Sequence, residues 1–174
     1  GAGDSATLRR SGSTTGEGTL RRTGSTLSGG GDAKANPRLV IAAVAANDPS
    51  VEIVDFSGNT MFSIKHREYA KELGLALAGN TVVKEVHLKS VDLDKVDAQA
   101  IMEGLVNNKT VVLLDLEKNK IDNEGAAAMA LLLRQNCTIR ELNLFGQAGN
   151  AFGDACLTAF VDMFDYNVTL TKII

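Results

Sequence analysis

The chain has 174 residues, of which 44% are apolar, and 18 basic side chains face 21 acidic ones for a formal net charge of −3. This length fits one domain with a tail, and the mildly acidic balance argues against a nucleic-acid partner, because phosphate binding needs a concentrated basic face. The sequence has no Trp and no apolar run long enough to span a bilayer, which argues against base-stacking platforms and a membrane partner.

Residues 1–36 form a tail rich in Gly, Ser, Thr and Arg, which we predict to be disordered because it contains too few apolar residues to offset the entropy of ordering. The tail holds a duplication, TLRRSGSTTGEG from Thr7 and TLRRTGSTLSGG from Thr19. Each copy places two arginines shortly before hydroxyl side chains, a spacing that basophilic kinases use. The candidate phosphorylation sites are Ser11, Ser13, Thr23 and Ser25. The alternative is a solvated linker whose kinase-like spacing is accidental.

Residues 37–174 repeat a short pattern, with units that begin at Asp48, Asn80, Asn108, Asn136 and Asn167. The third unit reads V-x-x-L-x-L-x-x-N-x-I from Val111 to Ile121, which is the full leucine-rich-repeat pattern. Its alternating apolar positions predict a short strand in each unit.

Between the strands the apolar period changes from 2 to 3.6, which predicts a helix in each unit. Its apolar face lies three, seven and ten places before each Asn, at Leu77, Leu73 and Ala70; Leu105, Ile101 and Ala98; Leu133, Met129 and Ala126; and Phe164, Phe160 and Leu157. Asp94 and Asp122 stand where helix N-caps belong. A further helix from Pro37 to about Ala46 has no strand before it and is predicted to cap the stack.

The predicted fold is therefore an α/β leucine-rich-repeat solenoid of about five strand–helix units, with parallel strands on the concave face and helices on the convex face. Asn119 and Asn59 fill the asparagine site of the repeat, where a side-chain amide can satisfy backbone groups of neighbouring turns. Val91 and Gln147 occupy that site in two other units, so the sequence predicts an interrupted ladder of amides.

Three stretches carry a resemblance to a known family: YAKELGLALAGNTVVKEVHL from Tyr69, LLLRQNCTIRELNL from Leu131, and FDYNVTLTKII from Phe164. The repeats look like those of the ribonuclease-inhibitor class. The region from about Asn47 to Ile174 resembles the C-terminal domain of tropomodulin, including its Gly-rich loop FGQAGNAFGD before the last helix. Tropomodulins cap the pointed end of actin filaments and bind tropomyosin. The resemblance therefore implies a cytoplasmic, cytoskeleton-associated role with actin as the partner.

Side chains between the buried strand positions are expected to face a protein partner on the concave side. The candidate partner-binding residues are Ile53, Asp55, Glu85, His87, Leu113, Asp115, Glu117, Glu141, Asn143 and Phe145. Most are acidic or neutral, which favours a basic patch on the partner. Leu113 and Phe145 are apolar where solvent is expected and are candidate anchors, with scattered surface apolar residues as the alternative.

The chain stops at Ile174 inside a predicted strand, with no polar element to cover the end of the stack. We expect either that the sequence is a fragment of a longer protein or that a partner covers the open edge.

No catalytic, cofactor or metal site is predicted, and no small-molecule substrate. His66 is predicted to lie on an exposed helix turn, and neither it nor His87 has a second ligand at metal-binding spacing. The acidic residues around Asp94 lack the Gly and Glu of a calcium loop and are more typical of a helix start. Cys137 and Cys156 are expected to be reduced thiols that behave as small buried hydrophobes.

These observations favour a non-catalytic protein-binding module of the actin cytoskeleton. The first alternative is a leucine-rich-repeat scaffold for a non-actin partner, such as a component of a ciliary, flagellar or signalling complex. The second is a GTPase-activating regulator, since some ribonuclease-inhibitor-like repeat proteins stimulate GTP hydrolysis, although no loop here offers an obvious catalytic Arg or Asn.

Overall fold

The computed structural model of the chain describes residues 35–148 and 152–174. The tail and its four candidate phosphorylation sites lie outside these residues, and the domain division after residue 36 stays a prediction. The helices and strands are α1 (Pro37–Ala45), β1 (Ile53–Asp55), α2 (Thr60–Ile64), α3 (His66–Ala78), β2 (Glu85–His87), α4 (Lys95–Leu105), β3 (Leu113–Asp115), α5 (Asn123–Leu133), β4 (Glu141–Asn143), α6 (Asp154–Phe164) and β5 (Lys172–Ile173).

The five strands form one parallel sheet in the order β1-β2-β3-β4-β5, so each unit pairs with the next along the chain. The central residue of each of the first four strands is at most 1% exposed, and these residues are Val54, Val86, Leu114 and Leu142. Their side chains pack under the helices. The flanking strand residues point the other way because side chains alternate along a strand. The predicted α/β leucine-rich-repeat architecture is confirmed.

The first unit contains a short helix that the sequence pattern did not predict. Helix α2 begins after Asn59, whose side-chain oxygen accepts a hydrogen bond from the Phe62 backbone at 3.0 Å. Phe62 is fully buried and its ring centroid lies 5.0 Å from that of Phe56. This additional turn accounts for the greater length of the unit that starts at Asp48.

Helix α1 covers the N-terminal end of the stack. Asn36 caps it by accepting a hydrogen bond from the Arg38 backbone at 3.1 Å, and Pro37 fits the first helical turn. Val40, Ile41 and Val44 are at most 5% exposed, and α1 packs beside α3. The apolar spacing from Pro37 onward thus marked a helix that buries one face.

Helices α3 and α4 meet in a close contact at Gly74 and Gly104. A Cβ atom on Gly104 would lie 1.9 Å from the carbonyl oxygen of Gly74, so only glycine fits at this contact. The predicted N-caps are confirmed: Asp94 forms a capping box with Asp97, and Asp122 accepts a hydrogen bond from the Gly125 backbone at 2.8 Å.

The prediction for the apolar face of α6 is partly wrong. Phe160 is only 9% exposed, but Leu157 and Phe164 are 56% and 47% exposed. In α3, α4 and α5 the matching positions are covered by the following helix. No helix follows α6 among the described residues, so these two side chains stay in contact with solvent.

Candidate functional site

The strand register brings most of the predicted partner-binding residues together in two rows on the surface opposite the helices. The first row is Ile53, Glu85, Leu113 and Glu141, extended by Lys172, and the second row is Asp55, His87, Asp115 and Asn143. A third row follows in the turns after the strands, at Ser57, Lys89, Glu117 and Phe145. We call these three rows the sheet face.

Two carboxylates of the sheet face form ion pairs with lysines, which the sequence pattern did not show. Lys89 lies 2.8 Å from Glu117, and Lys172 lies 3.0 Å from Glu141. The hydrogen bond from Lys89 lowers the pKa of Glu117, and the same bond raises the pKa of the Lys89 ammonium. The predicted preference for a basic partner therefore weakens at Glu117 and Glu141, because these carboxylates already have cations.

The first two rows over β1, β2 and β3, which we call the acidic half, keep their acidic character. His87 sits between Glu85 and Asp115, with its ring nitrogens 3.1 Å and 3.8 Å from their carboxylate oxygens. Asp55 accepts a hydrogen bond from the Ser57 backbone at 2.8 Å. None of the ion pairs formed within residues 35–148 and 152–174 joins Asp55, Glu85 or Asp115 to a Lys or Arg.

The two predicted apolar anchors differ in exposure. Phe145 is 60% exposed and projects from the turn after β4. Leu113 is half-buried between its strand neighbours, as is Ile53. Phe145 is therefore the more prominent anchor, and Leu113 and Ile53 form small apolar sites among the carboxylates.

The turns that support the sheet face carry a ladder of amides, and Gln147 takes part in it. Its Nε2 donates to the carbonyl oxygens of Leu116 and Leu144 at 2.9 Å and 3.1 Å, and its Oε1 accepts from the Ile121 backbone at 3.0 Å. Asn119 makes the equivalent bonds one unit earlier, to the Leu88 carbonyl at 2.8 Å. The predicted interruption at Gln147 is wrong, because a glutamine side chain presents the same amide one methylene farther out.

A second ladder is formed by the asparagines at which the repeat units begin, and the sequence pattern did not predict their structural role. Asn80, Asn108, Asn136 and Asn167 are each at most 4% exposed. The Asn108 amide donates to the Leu77 carbonyl at 2.8 Å, and its oxygen accepts from the Val111 backbone at 2.8 Å. The recurrence of Asn where each strand segment begins was the available signal.

The prediction that His66 lies on an exposed turn is wrong. Its side chain is 30% exposed, and Nδ1 lies 2.6 Å from Oδ2 of Asp97, which is fully buried. Arg67 approaches the other Asp97 oxygen at 3.1 Å. The cluster joins the start of α3 to the start of α4, and it explains how a buried carboxylate is accommodated.

The described residues contain no group of three or more His, Cys, Asp or Glu side chains arranged to hold a metal ion. Across the same residues, none of the helices has both the length and the apolar character required to cross a membrane. Cys156 is buried, as expected, and burial raises the pKa of its thiol, whereas Cys137 is exposed, against expectation.

The family model of the TMOD/LMOD leucine-rich domain matches residues 34–174. The chain belongs to this family. Leiomodin-1 of Rattus norvegicus is 31% identical over 130 residues, which cover 75% of this chain and 21% of that protein. The chain spans between 10% and 25% of the length of the curated relatives that it matches.

Two solved structures share the fold of this TMOD/LMOD domain. One is described as Leiomodin-1 Actin-Binding Site 2, with a TM-score of 0.73, 29% identity, and coverage of 81% of this chain and 79% of that one. The other is the tropomodulin C-terminal domain from Caenorhabditis elegans, with a TM-score of 0.72, 14% identity, and coverage of 80% and 81%. The second likeness concerns the fold alone.

Proposed function

We propose that this TMOD/LMOD domain is a non-catalytic actin-binding module of the cytoskeleton, acting in the cytoplasm without a cofactor. The observation that carries the proposal is the likeness to the structure described as Leiomodin-1 Actin-Binding Site 2, which extends over 81% of this chain at 29% identity. The finer proposal is that the chain slows actin growth at filament pointed ends.

The sheet face is the surface that we propose meets actin. Phe145 offers an exposed aromatic anchor. Glu117, its neighbour in the third row, is held by Lys89 at 2.8 Å and by the Asn143 amide at 3.4 Å. An aromatic side chain bordered by fixed polar groups is typical of the residues that dominate protein interfaces.

Two measurements separate binding from capping. Titration of the chain into fluorescently labelled monomeric actin tests binding, and elongation of pyrene-actin from barbed-end-capped filaments tests pointed-end activity. We expect saturable binding and dose-dependent slowing of elongation. Binding without slowing would support the actin partner and reject capping. The absence of binding at tens of micromolar would contradict the proposal and favour a scaffold for another protein.

Substitution of Phe145 by Ala tests the surface. Loss of a central aromatic anchor is expected to weaken actin binding by roughly tenfold or more. The matched control is Leu75→Ala on α3, since Leu75 is 70% exposed but lies on the helix side. Equal weakening by both variants, or by neither, would exclude the sheet face as the actin surface.

A further inference from the structure

The acidic half of the sheet face combines two kinds of surface. Asp55, Glu85 and Asp115 provide carboxylates that form no salt bridge with Lys or Arg among the described residues, and Ile53 and Leu113 provide half-buried apolar sites next to them. A complementary ligand would carry a short aliphatic side chain next to closely spaced cations. Arginine suits this surface because its planar guanidinium can form paired hydrogen bonds to a carboxylate.

This chain contains such a segment twice. The duplicated tetrapeptide T-L-R-R, from Thr7 and again from Thr19, places one leucine before two arginines. Residues 1–34 contain five basic residues against three acidic ones, which gives a formal charge of +2. The whole chain has a net charge of −3, so residues 35–174 carry −5. The tail and the repeat domain are therefore oppositely charged.

The tail is joined to the repeat domain at the β1 end of the sheet, next to the acidic half. The carbonyl oxygen of Ala35 accepts a hydrogen bond from Asn59 Nδ2 at 2.9 Å, and Asn59 follows the turn after β1. Ala35, the residue from which the tail leads away, therefore lies next to the turn that follows β1. The far end of the sheet face, over β4 and β5, has Lys172 paired with Glu141 and offers a less suitable surface for arginine.

The length of the tail is sufficient to cross the acidic half. Arg22 precedes Ala35 by 13 residues, which can extend over about 43 Å. The whole five-stranded sheet is only about 19 Å wide between its outer strands, at the usual strand spacing. Both copies can therefore reach β1, β2 and β3, and covalent attachment makes the encounter intramolecular.

We infer that the duplicated Leu-Arg-Arg segment within residues 7–25 docks on the acidic half of the sheet face of its own chain, with leucines at Ile53 and Leu113 and arginines at Asp55, Glu85 and Asp115. The segment occupies part of the surface that we propose for actin. The docking itself does not require actin, so it stands or fails separately from the proposed function.

Paramagnetic relaxation in the full chain tests this docking. A nitroxide is attached at Ser13→Cys in a Cys137→Ser background, and amide relaxation is measured in the 15N-labelled protein. Four chains are compared: the labelled parent, the tail variant R9E/R10E/R21E/R22E, the face variant D55N/E85Q/D115N, and the matched control E103Q/D162N/D165N, which removes the same three charges from the helix side. The spectra also report whether each chain is folded.

In the parent, amides of β1, β2 and β3 are expected to relax faster than those on the outer surfaces of α5 and α6. The tail and face variants should abolish this excess, whereas the matched control should retain it. Uniform relaxation in the parent, or an excess that the face variant leaves unchanged, would overturn the inference. So would an excess that appears only between labelled and unlabelled copies in a mixed sample, which would indicate docking between chains.

Discussion

The two ends of the repeat stack are built differently. At the N-terminal end, α1 buries Val40, Ile41 and Val44 and packs against α3, the first long helix of the stack. At the C-terminal end, α6 leaves Leu157, Val161 and Phe164 between 47% and 65% exposed. Beside them lies an apolar groove of about 410 Å³, lined by Leu144, Phe145, Phe152, Cys156, Phe160, Ile173 and others.

The difference shows that burial in a repeat protein depends on neighbours more than on the sequence of the unit itself. Leu105 on α4 and Phe164 on α6 occupy equivalent positions, three places before the recurring turn residues Asn108 and Asn167. Leu105 is fully buried because α5 follows it, whereas Phe164 is 47% exposed. The same amphipathic pattern therefore contributes full hydrophobic stabilisation only where both neighbours are present.

The largest effect is expected at the tightest interior contact. Gly104→Ala would place a methyl group 1.9 Å from the Gly74 carbonyl oxygen, which forces α3 and α4 apart. We expect a loss of about 4 kcal/mol or more in the free energy of unfolding, measured by chemical denaturation. The control is Gly79→Ala, since nothing lies within 4 Å of a Cβ at that site. Similar losses for both variants would show that the close helix contact is not the cause.

Two leucine substitutions compare the interior with the C-terminal end directly. Leu105→Ala removes a fully buried side chain, so it should lower the free energy of unfolding by about 3 kcal/mol. Leu157→Ala removes a side chain that is 56% exposed, so its cost should be below about 1 kcal/mol. Equal costs in the same denaturation assay would mean that the end of the stack is covered in solution.

Most of the repeat architecture could be predicted from the sequence, but the exposed end of the stack could not. The change of apolar period located the helices, the strand rows and the capping helix α1. Exposure of Leu157 and Phe164 could not be predicted from their spacing, because the spacing is identical in covered and uncovered helices. The contacts of His66 with Asp97 and of Lys89 with Glu117 were also missed, since each pair joins residues in different units.

The contribution of the asparagine ladder to stability can be tested at Asn108, with a smaller expected effect than in the interior substitutions above. Asn108→Ala would leave the Leu77 and Asn80 carbonyls and two backbone N–H groups without their buried partner. We expect a loss of about 2 kcal/mol in the free energy of unfolding. Asn107→Ala, at the exposed neighbouring position, is the control and should change the free energy by less than about 0.5 kcal/mol. A cost for Asn107→Ala as large as that for Asn108→Ala would argue against the ladder.

The reaction rates of the two cysteines test how readily the C-terminal groove opens. This measurement needs no substitution, so the native contacts are intact when the alkylating reagent is added. Cys137 is exposed, whereas Cys156 is buried in the groove wall and burial raises its thiol pKa. At pH 8 we expect Cys137 to react about tenfold faster or more, as followed by mass spectrometry of the modified peptides. Comparable rates would mean that the groove opens readily and exposes Cys156.

Actin binding by the sheet face is the central proposal for this domain. The most direct measurement is the affinity of labelled monomeric actin for three chains, namely the parent, Phe145→Ala and Leu75→Ala, followed by fluorescence anisotropy. We predict saturable binding by the parent and by Leu75→Ala, with affinity roughly tenfold lower for Phe145→Ala. No binding by the folded parent, or equal affinities for all three chains, would contradict the account.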